Sequence, residues 1–160
     1  MPLATHLTPE LIHLRAHAAT WREAVTLAGE MLVQDGATTP EYTAEMLKLI
    51  EEMGPYVVLT PGFALAHSRP SPYVKRTAIA WVSLAWPIEF GDVNPIQVKT
   101  VVAAAASDTE TQLDIVSDLS ELIGDSDTLQ MALDVTHADE LRSILGHGLY
   151  VPHLEVEIGA

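Results

Sequence analysis

The chain contains no cysteine. This excludes disulfides, thiolate metal sites and cysteine nucleophiles, and it suits a reducing compartment. Bases are scarce as well: 8 Lys and Arg stand against 22 Asp and Glu, a formal charge of −14. A duplex-binding surface needs the opposite sign, so no nucleic-acid partner is expected. Apolar runs such as Val101–Ala106 fall far short of the ~20 residues that cross a bilayer, and Met1–Thr8 lacks the basic-then-apolar order of a signal peptide. A soluble, cytoplasmic protein is the expectation. Neither GxGxxG nor GxxxxGK followed by Ser or Thr occurs, so the usual nucleotide-phosphate cradles are missing. Without a GxSxG elbow, a hydrolase is also disfavoured.

What is present is a chain of 160 residues, 48% hydrophobic, enough to bury one core without staples. Leu11–His17 alternates loosely and reads as a first strand. Thr20 and Glu23 form a capping box that opens a helix with Ala24, Val25, Ala28, Met31 and Leu32 inward, ended by Gly36. Thr39-Pro40 starts a second helix, whose buried face is expected to carry Tyr42, Met46, Leu49, Ile50 and Met53. Gly54-Pro55 stops it.

Three apolar runs without clear alternation come next, Tyr56–Leu59, Thr77–Leu84 and Val98–Ala106, as expected for strands covered on both faces. Ser107-Asp108-Thr109-Glu110 reads as another capping box, before a helix with Ile115, Val116, Leu119, Leu122 and Ile123 inward. Asp127–Leu133 and Ala138–Leu145, the latter capped by Thr136, fit short helices. The tail Tyr150–Ile158 alternates like an edge strand that pairs with the sheet or with a second subunit, so a homodimer stays open. The pattern gives one α/β domain: a sandwich around a mixed sheet of about five strands, with helices on both faces. Residues 1–148 form the domain and 149–160 the tail.

The histidines differ in setting. His13 and His17, at i and i+4, share a strand face but bring no carboxylate or HExxH pattern, so a metal site is not read there. His137 and His147 sit at helix ends, and His6 and His153 lie near the termini. His67 instead closes an apolar run, PGFALAHSRP at 61–70, with Pro70 and Pro72 stiffening the backbone just beyond it. A neutral imidazole is a good nucleophile near pH 7, and Arg69 offers an anion partner. Arg69, Lys75 and Arg76 also gather three of the eight bases nearby. The residues by themselves leave open a core or capping histidine beside a solvated arginine.

The wider segment GPYVVLTPGFALAHSRP, at 54–70, resembles the active-site segment of EIIA components of the bacterial phosphotransferase system (PTS), type-2 (fructose/mannitol) superfamily. The resemblance takes in TWREAV at 20–25, KRTAIAWVSLAWPIEFG at 75–91 and the helix after AAAASD, and its nearest branch is the ascorbate type. It implies a phosphocarrier that takes a phosphoryl group from the phosphohistidine of HPr onto His67, at Nε2, and passes it to EIIB. EIIB in turn serves the membrane component EIIC, which admits the sugar. No cofactor and no metal are implied. Arg69 would balance phosphoryl charge, and a hydrogen bond to the other ring nitrogen would fix the tautomer. An apolar rim including Phe63, Leu65 and Tyr73 would meet the protein partners.

Two positions depart from the family pattern: Ala66 stands where proline often precedes the histidine, and Gln112 where many members carry a second histidine. The Gln112 amide can hydrogen-bond but carries no proton or charge. Two alternatives stand beside the phosphocarrier: an EIIA-like domain whose phosphorylation state controls a partner protein, and an unphosphorylated module that self-associates through its tail.

Overall fold

The computed structural model describes residues 3–90 and 95–146. In chain order the elements are β1 (Ile12–Ala16), α1 (Trp21–Gln34), α2 (Pro40–Met53), β2 (Val58–Thr60), β3 (Gly62–His67), β4 (Ala78–Phe90), β5 (Ile96–Ala105), α3 (Thr109–Gly124), α4 (Ser126–Leu133) and α5 (Ala138–Gly146). The sheet runs β1-β4-β5-β3-β2. Pairing is parallel for β1–β4 and β3–β5 and antiparallel for β4–β5 and β2–β3, so the sheet is mixed as expected. α1 and α2 pack together, with α1 laid across β4 and β5. α3, α4 and α5 form the other helical layer, α3 against β5 and α5 against β1. The expected tail strand Tyr150–Ile158 lies outside the described residues.

Local chemistry sets most boundaries. Thr20 Oγ1 accepts from the Glu23 amide at 3.2 Å, and Glu23 accepts from the Ala19 amide at 2.7 Å. That is the reciprocal pairing of a capping box, its return bond falling one residue earlier than usual. At α3 the box is not used. Asp108 is the N-cap, its carboxylate accepting from Thr111 at 2.7 Å, because a short acidic side chain reaches the third amide directly. At α5 the Leu141 amide donates to the His137 carbonyl, which places His137, rather than Thr136, at the cap.

The strands required more correction. The run read as Tyr56–Leu59 divides into a 3-10 turn, Gly54–Val57, and the short strand β2. Phe63–Ala66, read as an apolar continuation, is the centre of a separate strand, β3. Pro61 and Gly62 make this reversal: Thr60 pairs with Phe63, and Gly62 takes φ +95°, the conformation that Pro-Gly turns require. β4 continues past Leu84 to Phe90, because a register shift between Ser83 and Ile88 absorbs Trp86-Pro87.

β1 ends at Ala16, with Arg15 at φ +58° and an irregular register. His17 therefore lies off the strand, and it no longer shares a face with His13 as alternation suggested.

The core is built around β4 and β5, buried along Ala78–Leu84 and Thr100–Ala105, with Trp81 packed edge-on to Phe63 at 5.6 Å. α2 buries Tyr42, Met46 and Ile50, whereas Met53 is exposed at the helix end. On α3, Ile115, Leu119 and Leu122 face inward and Ile123 is partly buried against the core, but Val116 faces out.

Candidate functional site

β3 and β5 run parallel, so their carboxyl ends open on the same side of the sheet, where α/β folds place their sites. His67 is the last residue of β3, paired with Ala104. α3 begins four residues beyond the end of β5, which carries Gln112 back towards the segment after His67. There its side-chain amide donates to the Ser68 carbonyl at 3.3 Å. The topology thus joins two of the sequence-chosen residues through the peptide that succeeds the histidine.

His67 is half-buried, and Nδ1 is the nitrogen turned into the protein, without a hydrogen bond. The bond expected to fix the tautomer is therefore not formed. Burial lowers the ring's pKa below its ordinary 6.5, and the Leu65 carbonyl opposes that shift without reaching hydrogen-bond geometry at Nδ1. A depressed pKa keeps the ring neutral near pH 7, with a lone pair available.

Arg69 is exposed and lines an open groove of ≈ 500 Å³ with Glu45, Lys48, Leu49, Glu52, Ser68, Pro70 and Ser71. His67 and Gln112 are not among the residues lining it, so the groove lies beside the histidine and does not enclose it. Within the basic cluster, Arg76 already has an acidic partner. It pairs with the Asp35 carboxylate and donates to its carbonyl at 2.6 Å, while the Lys75 amide donates to Ala37.

The apolar rim also differs from expectation. Phe63 and Leu65 are core residues, 0% and 3% exposed, because consecutive β3 side chains are covered on both faces. Tyr73 is 36% exposed. The exposed apolar side chains nearest Gln112 in sequence are Leu113 and Val116, 65% and 37% exposed on α3. Leu113 lies off the 115/119/122 stripe, and that phase was the available signal.

Sequence reasoning read Tyr42 as core and missed its hydroxyl. Tyr42 accepts from the Ser68 amide at 3.0 Å and lies 2.6 Å from the Ala104 carbonyl and 3.3 Å from the Ser68 carbonyl. Ser68 Oγ in turn lies 3.4 Å from Glu45. The signal was general: a tyrosine on a buried helix face needs a partner for its O–H. Among the described residues no group of three His, Asp or Glu is placed to hold a metal ion, and no helix is long and apolar enough to cross a membrane.

A mixed five-stranded sheet between two helical layers, presenting one half-buried histidine at the end of an inner strand, defines an α/β domain of the PTS IIA type. The chain belongs to the EIIA 2 family of the phosphoenolpyruvate-dependent sugar phosphotransferase system, whose model matches residues 5–148. It is 37% identical over 106 residues to the ascorbate-specific PTS system EIIA component of Escherichia coli (strain K12), covering 65% of this chain and 69% of the relative.

Its fold matches a Streptococcus mutans structure described as a PTS IIA (PtxA), with TM-score 0.82, 28% identity and coverage of 97% and 99% of the two chains. It also matches the complex of enzyme IIAMtl with phosphorylated enzyme IIBMtl from Escherichia coli. There the TM-score is 0.77, with 26% identity and coverage of 88% and 96%. Family membership and these structures support a phosphocarrier role.

Proposed function

We propose that this chain accepts a phosphoryl group on Nε2 of His67 from the phosphohistidine of HPr and passes it to an EIIB partner, feeding sugar uptake through EIIC. In the first transfer the Nε2 lone pair forms a bond to phosphorus as the donor's P–N bond breaks, and the donor ring keeps that electron pair. Because one imidazole replaces another, no nucleotide is consumed and no net proton is released. Transfer through such a loose transition state depends on in-line positioning and charge balance more than on bond-making chemistry.

The observation that carries the reading is the disposition of His67. It ends an inner strand, its Nδ1 is buried, and the peptide beyond it is held from two helices. That leaves Nε2 as the nitrogen for an incoming phosphorus. Arg69 is the cation next to the site, two residues on and exposed, suited to meet phosphoryl oxygens. Gln112 holds the Ser68 carbonyl, a neutral role that suits an amide. Two protein partners must use one surface in turn, so contact is modest and transient. Leu113 and Val116, exposed beside Gln112, fit that surface better than the buried Phe63 and Leu65. The likeness to a IIA–IIB complex supports EIIB as the acceptor.

The test is mass spectrometry after incubation with phosphoenolpyruvate, enzyme I and HPr. The expected result is an adduct of about 80 Da, one phosphoryl group, that disappears in His67→Ala. No adduct, or one that survives the substitution, overturns the proposal.

A further inference from the structure

The β3–β5 ladder ends with His67 opposite Ala104. The next amide, that of Ser68, therefore needs another acceptor, and the Ala104 carbonyl on β5 needs a donor. A single phenol meets both needs. Tyr42, fully buried on α2, accepts from the Ser68 N–H at 3.0 Å and donates to the Ala104 carbonyl at 2.6 Å. One hydroxyl proton serves one strong bond, and the shorter contact takes it. The Ser68 carbonyl, 3.3 Å from the phenol, is supplied by the Gln112 amide, also at 3.3 Å.

Burial pushes the phenol's pKa up to about 12, with the Ser68 amide opposing and the Glu45 carboxylate adding to the shift. The group thus stays an O–H donor throughout the physiological range.

We propose that Tyr42 is a positioning residue for His67: its hydroxyl extends the strand ladder one step past the histidine and thereby fixes where the imidazole projects. The kinetic part of this proposal rests on the phosphocarrier reading; the structural part does not. The physical reason is leverage. His67 is the last residue held by the ladder, so its ring direction depends on whether the next peptide is fixed. A displacement of about 1 Å at a reacting atom lowers transfer by about 100-fold. Gln112 alone grips only the carbonyl side of Ser68, leaving rotation about the His67–Ser68 linkage unopposed on the amide side.

Tyr42→Phe keeps the ring and deletes the bridge. The transfer rate constant within the HPr complex is expected to fall about 10- to 100-fold, with the half-saturating concentration of phospho-HPr unchanged. In the unphosphorylated variant, the two ring ¹⁵N shifts of His67 at pH 8 should move, reporting an altered tautomer balance. An unchanged rate constant with unchanged ring shifts, even if the melting temperature falls, overturns the proposal and leaves Tyr42 a packing residue.

Should the native protein take no phosphoryl group on His67, the phosphocarrier reading fails. The ring shifts then still decide positioning, movement supporting it and constancy refuting it. Should Tyr42→Phe not fold, hydrogen exchange of the native protein decides: protection of the Ser68 amide, beyond the strand end, is expected, and exchange at the rate of an open loop refutes the bridge.

Discussion

Gly29 lies in the middle of α1, where helix propensity alone favours alanine by about 0.8–1 kcal/mol. Gly29→Ala is nevertheless expected to destabilise the protein. A Cβ on Gly29 would lie 2.4 Å from both Cγ2 and Oγ1 of Thr43 on α2, and 2.9 Å from its Cβ. The optimum for carbon contacts is about 3.5–4.0 Å, so the overlap is about 1 Å or more. Turning Thr43 about its χ1 moves the two outer atoms but not its Cβ, so α1 and α2 must separate. Overpacking of this kind costs about 1–3 kcal/mol, and subtracting the propensity gain leaves a net loss of up to about 2 kcal/mol.

At about 2–4 °C per kcal/mol for a domain of this size, the melting temperature should fall by up to about 8 °C. In a Thr43→Ala background the same substitution meets only a methyl group, and its penalty should shrink by at least about 0.5 kcal/mol. Because Thr43 adjoins Tyr42, separating the helices also loosens the grip on Ser68, so phosphoryl acceptance should fall with stability. The assay is thermal and urea unfolding of the four proteins of the cycle. A raised melting temperature for Gly29→Ala, or an identical penalty in both backgrounds, would refute the reasoning.

For His67 the sign comes from a folded pKa below 6.5. Between that value and 6.5 the unfolded chain binds a proton that the native protein does not, so the ring's contribution to stability is complete above 6.5 and declines as pH falls through the folded pKa. Phosphoryl acceptance should accordingly stay level from pH 8 to 6.5 and drop only below. A rate that has already halved at pH 7 would contradict this. Gln112→Ala removes one long hydrogen bond to Ser68, worth about 0.5–1.5 kcal/mol, and should slow transfer by up to about tenfold in a rapid-quench assay. No slowing would deny Gln112 a place in the site. Thr20→Ala should cost about 1 kcal/mol in urea unfolding by freeing the Glu23 amide at the start of α1. A loss under about 0.3 kcal/mol would mean that the cap contributes nothing there.

Local chemistry written in the chain was enough to place the helices. Thr20, Thr39-Pro40 and the glycines mark their ends, and the apolar spacing within α1 and α2 selects faces that are in fact buried at Ala24, Val25, Ala28, Leu32, Tyr42, Met46 and Ile50. The family and the phosphohistidine candidate were also legible, because GPYVVLTPGFALAHSRP carries its residues in a fixed order and spacing. Strand limits were not. Strands covered on both faces lose the alternation that marks them, so Phe63–Ala66 gave no sign of being a separate strand, and the run read as ending at Leu84 continues through a bulge to Phe90. Nor could any local pattern show that Phe63 and Leu65 face the core, whereas the helical phase of Leu113 did mark it as solvent-facing.

Tertiary structure alone decided the site's construction. Tyr42, His67, Ala104 and Gln112 come from α2, β3, β5 and α3, and only the parallel pairing of β3 with β5 brings a phenol, a strand end and an amide to one peptide. Hydrogen bonds between residues 26 to 62 positions apart leave no trace in a periodicity read over a dozen residues, since the partner is chosen by sheet order and not by spacing.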